Sequence, residues 1–61
     1  MDEAFEAYGK GRADGGAGRR DVLRAADALT GSDYRIGFLD GRIEIFHMLA
    51  ELRRLLNDDS L

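Results

Sequence analysis

The 61-residue chain lacks cysteine, proline and tryptophan and has one histidine, His47. Without cysteine there is no disulfide staple and no thiolate metal site to reinforce a small core. Hydroxyl side chains are scarce as well, at Thr30, Ser32 and Ser60, and none stands at a recognisable spacing from a base. A protein that is not an enzyme, with no catalytic residues and no cofactor, is the expectation. The longest apolar run, Met48-Leu49-Ala50, is far too short for a membrane span or a signal-peptide core. We expect an intracellular, cytoplasmic protein without membrane association.

What remains is ordinary for a folded chain, with 44% hydrophobic and 34% charged residues, too apolar for a disordered acidic tail. Size is the difficulty. A chain this short buries only ~60% of the surface it exposes unfolded, and its burial gain comes close to cancelling its entropy cost. Either its helices pack very efficiently or a second chain completes the core.

The net charge of −3 is unevenly placed. Asp2, Glu3 and Glu6 make the first residues acidic; Lys10, Arg12, Arg19, Arg20 and Arg24 outweigh Asp14 and Asp21 in the middle; the remainder is acidic again. Eight of the nine bases are Arg, suited to carboxylate and phosphate forks, although a GC-rich coding sequence yields the same bias.

Periodicity predicts an all-α single domain over 1–61 with two short helices and one long C-terminal helix. Helix 1 starts at Asp2 and Glu3, which favour its N-terminus, and carries Ala4, Phe5, Ala7 and Tyr8 at helical spacing. Its glycines weaken it, so it should end between Arg12 and Gly16, with a flexible Gly-rich turn at about 15–18. Asp21 is placed to cap a second helix to about Leu29, with Gly31 as its stop. Ser32 then caps helix 3, which should run to about Asn57 with Asp33 in its first turn.

Of the 19 apolar residues other than Ala, residues 34–56 hold twelve, so helix 3 carries most of the available core. Projected at 100° per residue, it shows one stripe of Ile36, Leu39, Ile43, Phe46 and Ala50. A second, broader one holds Phe38, Ile45, Met48, Leu49, Leu52, Leu55 and Leu56. Phe5, Tyr8, Val22, Leu23 and Leu29 offer enough cover for one stripe only. A homodimer, or a partner protein, is therefore expected on the other, with Ile45, Met48, Leu49, Leu52 and Leu56 as dimer contacts.

The most distinctive pattern is an internal echo. Tyr8, Gly11, Asp14 and Gly15 recur 26 residues on as Tyr34, Gly37, Asp40 and Gly41, each set reading Tyr-x-x-Gly-x-x-Asp-Gly. On a helix Tyr8, Gly11 and Gly15 share a face, as do Tyr34, Gly37 and Gly41. Each pair of glycines makes a groove where another backbone or a ring can approach, so these six residues are expected to pack helices within or between chains. The echo stops outside these eight positions and is not read as a duplication.

Other patterns carry less. Lys10 to Arg20 is glycine-rich and basic, which attracts anions, but it lacks the ending of a phosphate-binding loop and follows no strand. Glu44 and His47 have the spacing of di-iron bundle ligands yet lie on the polar face with Asp40, Glu51 and Arg54, where surface pairing is the expectation and no metal is assigned. Thr30-Gly31-Ser32 between two helices looks like a helix-turn-helix. A reading helix, however, needs polar and basic side chains where helix 3 has Ile36, Phe38, Leu39 and acids, so direct DNA binding is not expected.

The run Tyr34-x-x-Gly37-Phe38-x-Asp40-Gly41-Arg42-x-Glu44 resembles a pattern in small helical accessory proteins of bacteriophages. The whole chain, in size, acidity and helicity, resembles phage-encoded inhibitors of host defence of the anti-CRISPR type. Those inhibitors share no motif, so no functional residue carries over. The resemblance implies a protein-binding inhibitor in the host cytoplasm, often dimeric, that occludes a basic nucleic-acid-binding surface of a larger complex. Clustered acids fit that mechanism, and Asp40, Glu44 and Glu51, with Arg35, Arg42 and Phe38, are the candidate partner contacts. The alternative is a structural or regulatory helical dimer, such as a transcriptional accessory factor.

Overall fold

The computed structural model describes residues 2–59, the last by its backbone only; Ser60 lies outside the described residues. Helix α1 spans Glu3–Ala17, α2 Val22–Ala25 and α3 Gly31–Asp59, and the described residues contain no strand. The described residues are all-α, with three helices, the C-terminal one long.

Local chemistry starts each element. The Asp2 carboxylate accepts the Ala4 N–H at 3.0 Å and opens α1. Asp21 does the same for α2, accepting from Arg24 N–H at 3.1 Å. Helix α1 ends where Gly18 takes φ 71°, and the next N–H, of Arg19, reaches back to the Asp14 carbonyl at 2.9 Å. This is a Schellman closure, which a side-chain-bearing residue would strain.

Helices α1 and α3 lie side by side and parallel. Tyr8 donates to Asp40 and Arg12 to Glu44, so moving four residues along one helix moves four along the other in the same direction. The 13 residues from Gly18 to Thr30 return the chain along the pair, with α2 as a single turn in this crossover.

Glycine sets the spacing of the pair. A Cβ on Gly11 would overlap the Tyr34 carbonyl and stand 2.9 Å from Phe38 N; one on Gly37 would overlap the Tyr8 carbonyl and stand 3.0 Å from Arg12 N. One register further on, Gly15 meets the Phe38 carbonyl and Gly41 the Arg12 carbonyl. Each glycine thus faces the backbone position that corresponds, 26 residues away, to the one its counterpart faces. The two halves of the echo pack on each other about a local two-fold axis. Backbone lies against backbone, and among the described residues the fully covered apolar ones are Ala7, Ala25 and Tyr34, with Phe38 half-buried against them.

Several sequence-level expectations are corrected. The turn at 15–18 is helix through Ala17, because Gly15 is where α3 comes closest and the contact offsets the cost of glycine. Helix 2 stops at Ala25 rather than Leu29, since the Asp27 carboxylate accepts from Leu29 and Thr30 N–H at 2.8 and 2.9 Å and holds residues 27–30 as a turn. Gly31 is the first residue of α3, not a stop, and a Cβ added there would stand 2.6 Å from the Ala25 carbonyl oxygen. Ser32 therefore lies inside the helix and does not cap it; the Thr30 carbonyl already accepts from Tyr34 N–H at 3.0 Å. Phe5, Val22, Leu23 and Leu29 cover no stripe: they are 75%, 70%, 85% and 83% exposed.

Helix α3 is roughly 43 Å long and α1 roughly 22 Å, so the second half of α3 projects beyond its partner. The radius of gyration is 14.9 Å, against about 10 Å for a compact domain of this length.

Glycine substitutions separate these roles. Gly37→Ala should lower the melting temperature, by about 1–3 kcal/mol of overpacking, because backbone must move to admit the methyl. Gly9→Ala, with nothing within 4 Å of the added atom, should raise it by roughly 0.5–1 kcal/mol. Thermal melts followed by circular dichroism read both.

Candidate functional site

The echo supplies two Tyr–Asp bonds across the helix pair. Tyr34 donates to Asp14 at 2.6 Å, and its counterpart Tyr8 donates to Asp40. Their surroundings differ, because the crossover runs over only one of them. Tyr34 is 1% exposed, and its oxygen also accepts the Asp21 N–H at 2.9 Å, so one hydroxyl joins α1, α3 and the crossover. Tyr8 stays half-buried on the open side, beside Arg12, Ile43, Glu44 and His47.

Electrostatics follow these bonds. Burial, and then the bond to Asp14, hold the Tyr34 hydroxyl above the usual tyrosine range; the bond to Asp40 does so first for Tyr8. Asp14 is held below the usual carboxylate range by Tyr34 and, after it, by Lys10, whose ammonium lies 3.2 Å away. The Thr30 and Leu29 N–H groups lower Asp27.

The residues expected to contact a partner are largely engaged within the chain. Asp40 and Glu44 accept from Tyr8 and Arg12, and Glu51 pairs with Arg54 at 2.5 Å. Arg35 donates to the Ala25 carbonyl. Arg42 reaches the Gly15 carbonyl at 3.4 Å, with its guanidinium 4.9 Å from the Phe46 ring centroid. Phe38 packs beside Tyr34, ring centroids 6.3 Å apart. Tyr8, Gly11, Gly15, Tyr34, Gly37 and Gly41 all meet in the α1–α3 contact.

Of the expected dimer residues, Ile45 is half-buried, while Met48, Leu49, Leu52 and Leu56 are 53–61% exposed. Leu55, at 51%, belongs with them. These six continue the same face of α3 that carries Tyr34, Gly37, Phe38 and Gly41, past the point where α1 stops. The opposite stripe, with Ile36, Leu39, Ile43 and Phe46, is also about half exposed. Helix α3 is thus apolar on two sides and covered on half of one.

The chain matches no known protein family, no curated protein and no solved structure. Any functional assignment rests on the arrangement itself. Among the described residues, no three His, Cys, Asp or Glu side chains gather as metal ligands, and no helix is long and apolar enough to cross a membrane. With α2 a single turn, no first helix precedes α3 in a helix-turn-helix sense.

Sequence reading located the echo's glycine grooves but missed its hydrogen bonds. The signal was present: the aspartate shared by both halves has no packing role, and it becomes intelligible once the halves face each other and each Tyr reaches the other's Asp.

Stability should depend on pH at both ends. Asp14, lowered in the folded state, contributes above its unfolded value near 3.8, and that contribution disappears as the pH falls through its folded value. Tyr34, raised, contributes below 10.0 and loses its contribution as the pH rises through its folded value. Tyr34→Phe should shrink the alkaline loss while Tyr8 retains part of it, and cost about 1–2 kcal/mol at neutral pH. Asp14→Asn should shrink the acid limb while Asp27 retains part of it, as melting temperatures across pH will report.

Proposed function

We propose that the chain is a protein-binding protein that works through helix-mediated assembly, a structural or regulatory role rather than a catalytic one. One observation carries this: α3 is the longest element, and its two apolar stripes are about half exposed along most of its length. Apolar surface in this amount on a small chain marks a docking face. Association also meets the chain's own need, because few apolar side chains are covered within it.

The second form of the same role is an inhibitor of the phage-encoded, anti-CRISPR type that presents acids to a basic surface. Acidity, size and exposed Asp40, Glu44 and Glu51 support it. Against it stands the use of those acids within the chain, since a carboxylate already bonded to Tyr8 or Arg12 has less to offer a competing Arg or Lys.

Affinity capture from the native host separates the two. The assembly role predicts that Leu39→Glu and Phe46→Glu abolish capture of partners and that Glu44→Lys with Glu51→Lys leaves it intact. Loss on charge reversal alone, with recovery of a nuclease or surveillance complex, would favour the inhibitor.

A further inference from the structure

Taking the exposed half of α3 as a docking face, we infer that its occupant is a second copy of this chain, laid antiparallel along residues 45–58. The spacing fits a helix partner: Ile45, Leu49, Leu52 and Leu56 alternate four and three apart, the seam on which knobs enter holes, and Met48 and Leu55 flank it. From their exposure, Met48, Leu49, Leu52, Leu55 and Leu56 offer on the order of 550 Å² of surface per chain, so a pair that covered all of it would remove about 1,100 Å², near the roughly 1,000 Å² that a specific interface needs.

Charge favours self-association over a strongly charged partner. Residues 45–59 hold Glu51, Asp58 and Asp59 against Arg53 and Arg54, so this half carries a formal −1 of the chain's −3. Two copies can meet here with little charge repulsion, least when the C-terminal turns are kept apart.

Direction follows from where α1 ends. On residues 34–42 the same stripe is filled by α1, whose last turn lies beside Gly41 and Arg42. A parallel copy would have to leave the stripe there, and it would set the acidic C-terminal turns of both helices together. An antiparallel copy ends where the other chain's α1 ends, keeps the two C-terminal turns apart, and opposes the helix dipoles. The contact is then isologous, and α1 of each copy closes one end of the shared stripe.

Sedimentation of the intact chain at micromolar concentration should give the mass of two chains, falling to one on dilution. Leu52→Glu should give one chain and Leu39→Glu, on the opposite stripe, still two. With no native cysteine, orientation can be read by crosslinking: Ile45→Cys mixed with Leu56→Cys should form a disulfide pair, and Leu56→Cys alone should not. A single-chain mass at every concentration overturns the inference; if Leu39→Glu then still abolishes partner capture, the docking role survives with a foreign occupant. A two-chain mass unchanged by Leu52→Glu places the contact elsewhere, and self-crosslinking of Leu56→Cys makes the pair parallel; either result also overturns it.

Discussion

The structure depends on the approach of two helix backbones at Gly11 and Gly15 on one side and Gly37 and Gly41 on the other. An added methyl at any of the four would overlap a carbonyl of the facing helix. Helices packed so closely gain dispersion contacts between main chains and bring Tyr8 and Tyr34 within reach of Asp40 and Asp14. The fold is thereby specified with few large side chains. Its cost is helix propensity, since each interior glycine costs about 0.5–1 kcal/mol relative to Ala.

That economy explains the distribution of apolar residues. In a larger protein Ile, Leu and Phe would fill the space between helices, but glycine contacts leave no such space here. The large side chains of α3 are consequently left to the outside, on the stretch beyond α1 and on the opposite face. Both the small core and the exposed helix follow from one choice of spacing, which is what the proposed association would complement.

Much of this was legible in the sequence. Asp2 and Glu3 marked the start of α1 as acids at a helix N-terminus, Asp21 capped α2 as expected, and the long third helix followed from its periodicity. The echo identified the packing glycines because Tyr, Gly and Gly at those intervals share a helical face. What escaped was decided by tertiary contact. Gly15 stays helical where α3 packs directly against it, and Asp27 shortens α2 by bonding to its own backbone neighbours. Phe5 and Leu23 were expected inside on hydrophobicity alone, although glycine spacing leaves them no space to fill.

The central claim is that one half of α3 is ordered by α1 and the other half by a second chain. Amide hydrogen exchange along α3, measured across a range of protein concentrations, tests it directly. Residues 34–44 should show protection that is largely independent of concentration, and residues 46–58 protection that rises as the protein is concentrated. Equal protection of both halves at every concentration would contradict the account.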